Sequence, residues 1–402
     1  MLPRGMAGRL TLDFLKTESS AGLAPVAAAA FALILANSPL APDYFRFLAK
    51  PIPIQIGSFA QTASVASWVK DGLMASFFLI VGLEIKFEVL RGELSSFRRL
   101  ATPIFAAVGG MIVPALVYLA INAGPGGAPR GWPVGTTTDI AFALAALTMA
   151  APRLPSSLRL FLLTLAIADD FGAVALIGAL YTVKVHWAAA AGAGLVLAML
   201  ASLSRVRRGP LLLYAVGFVL VWAFCLKSGI NTSVAGVACA LTVPVGARRP
   251  GGESMLTLFM DALHPWVAYG VLPLFAFTAA GFQFRALGAH DVLAPLTLGV
   301  ALALFVGKPL GVFGVAGLAT ILKLGRRPAG ATWLELFGVA QLTGVGFTMS
   351  LYLGALAFGD PLAQTQARLG VIAGSLASAA VGAGLLALAG ARRTALREEA
   401  LD

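Results

Sequence analysis

Residues 160–180 read LFLLTLAIADDFGAVALIGAL, and this stretch decides the fold. Only Asp169 and Asp170 are charged, and they stand at its middle. At about 1.5 Å per residue, a helix of this length spans roughly 30 Å, the hydrocarbon thickness of a bilayer. Two carboxylates therefore lie where water is scarcest, at roughly 2.5–3.5 kcal/mol each on an insertion scale. Neutral residues would make a better spanning helix, so the pair points to function. The plain structural alternative is that salt bridges inside a bundle hold both aspartates. Too few basic residues lie at membrane depth to pair both.

Composition agrees with a membrane setting. Apolar residues make up 59% of the 402, charged residues 12%, and the mean hydropathy is +0.88. A soluble domain carries about 25% charged residues, so the chain reads as an all-α integral membrane protein. The net charge of +11 fits basic membrane loops better than nucleic acid, for which no binding motif is present. Cys225 and Cys239 lie in apolar segments and read as small buried hydrophobes. His186, His264 and His290 have no zinc-like spacing. The first apolar run, 21–36, follows Arg4, Arg9 and Lys16 as a signal peptide would. Asp13 and Glu18 argue instead for a first membrane helix.

Apolar windows predict about 12 spans: 15–36, 65–88, 101–121, 132–150, 157–181, 187–204, 210–226, 229–245, 258–280, 292–320, 332–354 and 366–390. Between the first two, Pro51 and Pro53 alternate with Ile52, Ile54 and Ile56, which predicts a surface hairpin within 42–60. Of the 29 Lys and Arg, 20 fall in the N-terminal tail and every second loop, 8 on the other side, and Lys308 within a span. That bias puts both termini in the cytoplasm, which an even span count permits.

Two spans are interrupted. The fourth reads GWPVGTTTDIAFALAAL from Gly131, with Thr136, Thr137 and Thr138 just before Asp139. The eleventh reads LFGVAQLTGVGFTMSLYLG from Leu336, with Gly344 and Gly346 around Val345 and Thr343 and Thr348 nearby. Glycine and β-branched threonine weaken a helix there, and freed backbone must line a cavity or meet an ion. Close packing through small residues is the alternative for either break alone. The breaks fall in the middle members of spans 3–5 and 10–12. Spans three and ten are an odd number apart and so run in opposite directions. That is an inverted-topology repeat with discontinuous helices at matching positions, the pattern of a secondary transporter. The repeats cover 101–181 and 292–390, and 15–88 and 187–280 form the interface panel of a single polytopic unit.

The intramembrane ionisable residues are Asp71, Asp139, Asp169, Asp170 and Lys308. Neighbours on a helix point about 100° apart, so Asp169 and Asp170 cannot share one proton face to face. One can face an ion path while the other meets Lys308. Desolvation favours a protonated carboxyl and a nearby cation favours the charged one, so such a site can hold protons or a hard cation. Carboxylates, threonine hydroxyls and freed carbonyls are the oxygen ligands a hard cation such as sodium prefers, and these ligand types alone do not separate sodium from lithium or potassium.

These residues carry a resemblance. The chain resembles the NhaA family of sodium/proton antiporters over nearly its whole length. The matching segments are DGLMASFFLIVGLEIK from Asp71, GGMIVPALVYLA from Gly109, TTTDIAFALAAL from Thr136 and LAIADDFGA from Leu165. LKSG from Leu226, LHPWVAYGVLPLFAF from Leu263, GKPLG from Gly307 and GVGFTMSL from Gly344 complete them.

The resemblance implies that Asp170 is the principal sodium ligand and a proton carrier. It makes Asp169 the second essential carboxylate, paired with Lys308 when sodium is absent. Asp139 then balances the positive helix ends where the broken helices cross, and Thr138 borders the ion site. Asp71 shapes the extracellular path, Glu84, Glu88 and Asp261 belong to the cytoplasmic funnel and the pH response, and the hairpin supports a homodimer. Glu84 and Glu88, four apart at a helix end, can equally be solvated charges. Asn231 stands where some relatives have histidine, and Met260 where many have glutamate; these departures bear on pH sensing.

The expectation is a sodium (and lithium) exporter driven by entering protons, electrogenic if more than one proton enters per sodium, in a bacterial inner membrane. It is a transporter, not an enzyme, with sodium, protons and lipid as partners. No nucleic acid and no cofactor are expected, for there is no P-loop or dinucleotide fingerprint. A cation channel and an intramembrane aspartyl protease are the rivals.

Overall fold

Proline, glycine and charge decide where the apolar helices of this chain stop and bend. The computed structural model describes residues 22–56, 59–91, 97–152, 154–182, 185–204, 211–246 and 254–398. The described chain is mostly helical, with one two-stranded sheet. Six described helices are long and apolar enough to cross a membrane, or up to nine if each of three bent pairs is one span. Trp187–Leu203 and Thr232–Thr242 are shorter apolar helices.

Contacts divide the chain into two units. One holds Met1–Val26, Ser96–Asp169 and Ala286–Asp402, and the other Ala27–Ser95 and Asp170–Arg285. The division falls within the continuous helix Ser156–Leu180, between its two aspartates.

In the first unit, Phe97–Asn122 packs against Lys308–Ile321 through glycine. A Cβ on Gly109 would strike Gly311 O, and one on Gly311 would strike Gly109 O. Small residues thus let the two backbones touch, the usual basis of helix association in lipid. The core is aliphatic, with Leu144, Leu158, Leu162, Val312, Leu336 and Leu386 fully or almost fully buried. A charged pair borders it. Thr332 and Glu335 form a capping box at the start of Trp333–Leu342. Arg393, from the last helix Pro361–Glu398, pairs with the buried Glu335 at 3.0 Å.

Several spans differ from uninterrupted helices. The segment predicted as 292–320 contains a π-turn at Ala303–Gly307, directly before Lys308-Pro309. Proline has no N–H for the carbonyl four residues back, and the Phe305 carbonyl accepts instead from Gln341 Nε2 at 3.1 Å. The first half of the predicted span 132–150 is a 3₁₀ helix, Pro129–Gly135, with Pro129 at its first position and Pro133, which lacks an N–H donor, inside it.

In the second unit, Met74–Arg91 lies against Thr232–Thr242, where a Cβ on Gly236 would meet Ala75 O. Lys86 Nζ donates to Leu241 O at 2.6 Å and Val243 O at 2.5 Å, a cation at a helix C-terminus. Cys225 and Cys239 are buried free thiols in this unit's core. The predicted hairpin needs correction at its start. Residues 42–49 belong to a helix, Ala41–Ala49, with proline in its first turn and Tyr44 and Leu48 buried on one face. Antiparallel strands follow at Pro51–Ile56 and Phe59–Ser64, and Trp68 Nε1 donates to Ile52 O at 2.9 Å.

Candidate functional site

The first break begins where the Pro129–Gly135 turn ends. Thr136 to Asp139 run outside any helix, and Ile140–Ala150 starts after a bend of 42°. The second break, at Thr343–Gly346, separates Trp333–Leu342 from Phe347–Ala357 with a bend of 43°.

The breaks satisfy one another. Asp139 N donates to Val345 O at 2.7 Å. Thr138 Oγ1 donates toward Thr343 O at 2.9 Å, and the Thr137 and Ser350 hydroxyls pair at 3.2 Å. Backbone freed by each interruption thus bonds to protein, as lipid would require.

Asp139 stands at two helix starts. As N-cap of Ile140–Ala150, its Oδ1 accepts from Phe142 N at 3.1 Å. Its Oδ2 accepts from Thr348 N at 3.1 Å and Thr348 Oγ1 at 2.5 Å, in the first turn of Phe347–Ala357. One carboxylate therefore offsets the positive ends of two half-helices.

Lys308 meets the opposite kind of end. Its ammonium donates to Thr136 O, at the C-terminal end of the first half of the broken span. It also donates to Asp169 Oδ2 at 2.6 Å, and both side chains are completely buried. The same Asp169 oxygen accepts from Thr138 Oγ1 at 2.8 Å. Thr138 has one hydroxyl hydrogen for two acceptors, Asp169 Oδ2 and Thr343 O, so it must share or alternate between them. Asp169 Oδ1 makes no hydrogen bond to the described residues and keeps its lone pairs. A buried pair of this kind is costly to disrupt: removing one partner leaves a charge that costs about 3–5 kcal/mol.

Of the sequence candidates, the structure joins Thr136, Thr138, Asp139, Asp169 and Lys308 in one network, with Thr137 beside it. Gly344 and Gly346 are buried where side chains do not fit: a Cβ on either would overlap Leu304 O or Ser350 Oγ. Asp170 is buried, 3% exposed, one residue on from Asp169. The remaining candidates belong to the second unit. Asp71 is half-buried, with Lys70 at 3.6 Å, and its carbonyl accepts from Trp222 Nε1 at 2.8 Å. Glu84 and Glu88 are half-buried on Met74–Arg91, and Asp261 is exposed on Met255–Trp266.

Ser350, Ser375, Gln341 and Glu335 are buried polar residues that the sequence reading passes over. Glu335 had a signal, the Thr-x-x-Glu capping box. A lone amide and isolated serines in apolar helices had none. Among the described residues no group of three or more His, Cys, Asp or Glu could hold a metal ion. The site offers instead a few oxygens around one lysine.

Residues 12–386 match the family described as Na+/H+ antiporter 1. A "Na(+)/H(+) antiporter NhaA" of Bordetella parapertussis is 47% identical over 384 residues, covering 94% of this chain and 96% of that one. Proteins of the same description from Paramagnetospirillum magneticum and Caulobacter vibrioides are 47% and 45% identical, covering 92% and 96% of this chain and 94% and 93% of theirs.

Proposed function

The chain belongs to the Na+/H+ antiporter 1 family, and from that premise we propose how it exchanges sodium for protons. It is a sodium/proton antiporter, a transporter and not an enzyme. The observation that carries the mechanism is the buried pair of Asp169 and Lys308, tied through Thr138 to both helix breaks.

With neither sodium nor a proton on Asp169, the Lys308 ammonium neutralises it. Asp170, next on the same helix, is the principal sodium ligand and proton carrier. When sodium arrives at the carboxylates it supplies positive charge of its own, and protons leave. When protons return, the carboxyls no longer act as anionic ligands and sodium is released. Thr138 follows the charge: its hydrogen serves Asp169 while that group is a carboxylate and turns to Thr343 O when it is protonated. Asp139 stays charged against two helix ends and takes no part in carrying. Exchange of more than one proton per sodium makes the cycle electrogenic, and lithium, a smaller hard cation, fits the same oxygens. No cofactor is needed, because the proton gradient supplies the work.

Around this site we propose twelve crossings, with inverted repeats over 101–181 and 292–390 and panel helices from 15–88 and 187–280. Support comes from the near-equal bends, 42° and 43°, at corresponding members of the two trios. The excess of basic residues in alternate loops argues for cytoplasmic termini in a bacterial inner membrane. Asp71 borders the extracellular path, and Glu84, Glu88 and Asp261 the cytoplasmic funnel and its pH response. The strands Pro51–Ile56 and Phe59–Ser64 suit a dimer contact.

The rival readings lack support. Asp139 and Asp169 engage different partners, unlike a protease dyad sharing a proton. A channel needs rows of polar groups along a pore. The test is purified protein in vesicles with an imposed pH gradient and no membrane potential. Added sodium should dissipate the gradient only where protein is present. A gradient insensitive to sodium would overturn the proposal.

A further inference from the structure

The helix Phe347–Ala357 cannot cap its own start. Its N-cap is Gly346, which has no side chain. The acceptor comes from the last helix: Ser375 Oγ lies 3.2 Å from both Gly346 N and Phe347 N. The next free N–H, of Thr348, goes to Asp139 Oδ2 at 3.1 Å. The cap is therefore divided between a neutral hydroxyl from Pro361–Glu398 and a carboxylate from the first break.

Space keeps this division in place. A Cβ on Gly346 would overlap Ser350 Oγ, and one on Gly344 would lie 2.5 Å from Ser378 Oγ. Ser375 and Ser378 stand one turn apart on the same face of the last helix, against the break. No side chain fits at either glycine to replace the Ser375 oxygen. Ser375 is 3% exposed, so water is a poor substitute.

We propose that Ser375 is a positioning residue for sodium binding. Its hydroxyl oxygen fixes the start of Phe347–Ala357, and with it the Thr343 carbonyl and the Thr348 donors. Thr343 O competes with Asp169 for the single Thr138 hydrogen, so a displaced break alters what reaches Asp169. Binding constellations lose function when their supporting groups let them drift by about 0.5 Å. This rests on the reading of Asp169 and Asp170 as the ion-binding carboxylates.

Ser375→Ala, Ser375→Thr and Ser375→Cys, purified and placed in vesicles, test it through sodium-driven proton movement across a range of sodium concentrations. Ser375→Ala should raise the KM for sodium about three- to tenfold, the loss expected for a modest hydrogen bond, with Vmax within about twofold of the parent. Ser375→Thr keeps the oxygen and should keep the KM. If Ser375→Ala does not fold, Ser375→Cys carries the test, because a thiol is a weak acceptor of similar size. An unchanged KM in the folded Ala or Cys variant overturns the proposal, even with a lower Tm, because the contact is then only structural. Asp170→Asn is measured alongside. Its loss of exchange with a normal KM in Ser375→Ala would sink the Ser375 role alone, whereas its full exchange would sink the site reading and this proposal together.

Discussion

Replacing Lys308 with alanine removes the ammonium in contact with Asp169 and the donor to Thr136 O. Thr138 remains as a donor to Asp169, but a hydroxyl carries no charge. An uncompensated buried carboxylate costs about 3–5 kcal/mol. The group can escape by taking up a proton. For a carboxyl of ordinary acidity that costs about 4 kcal/mol at pH 7 and about 3 at pH 6. The penalty is therefore capped, and the cap falls by about 1.4 kcal/mol per pH unit of acidification. The sign follows: the variant should approach the parent's stability as pH falls, and lag further as pH rises. At about 2 °C per kcal/mol, Tm should drop by about 6–8 °C near pH 7 and by less near pH 6. Thermal unfolding in detergent measures this, together with the double change Lys308→Gln with Asp169→Asn. Removing both charges should recover at least about 2 kcal/mol relative to the sum of the single losses. Strictly additive losses, or a Tm deficit independent of pH, would refute the pairing.

Two further variants probe the remaining carboxylates. Asp170→Asn should abolish sodium-driven proton movement while Tm stays at or above the parent's, because a neutral amide is easier to bury; exchange assays in vesicles check it. Asp139→Ala should cost about 1–3 kcal/mol, since it strips an acceptor from the starts of both Ile140–Ala150 and Phe347–Ala357, and Asp139→Asn should cost less because it keeps one acceptor oxygen; unfolding curves that rank the two the other way would refute the double cap.

What could be read from sequence was what local chemistry announces. Two aspartates in an apolar run, prolines and threonines ahead of Asp139, and Gly-Val-Gly after Thr343 each break a pattern within a few residues. The structure brings Thr138, Asp169 and Lys308 together, and the breaks stand where glycine and proline put them. What escaped depends on partners far along the chain. Ser375 acquires its role only from N–H groups at Gly346 and Phe347, and Gln341 only from the carbonyl that Pro309 leaves without a donor. Glu335 was legible as a cap, but its buried pairing with Arg393 needed the fold. The helix Ala41–Ala49 was hidden because the prolines of the adjoining strand dominate the pattern, while its own apolar face covers barely two turns.

The central claim is that sodium and protons occupy the same carboxylates, Asp169 and Asp170, in turn. Protonated carboxyls cannot serve as anionic ligands, so acid must weaken sodium binding. Sodium titrations of the purified protein from about pH 5.5 to about pH 9 measure this directly. On the acid side the apparent Kd should rise about tenfold per pH unit for each proton displaced, and on the alkaline side it should level off. No separate sensor is required, so histidine in place of Asn231 or glutamate in place of Met260 should shift the curve without removing it. A sodium affinity that stays constant across that whole range would contradict a shared site and the exchange mechanism built on it.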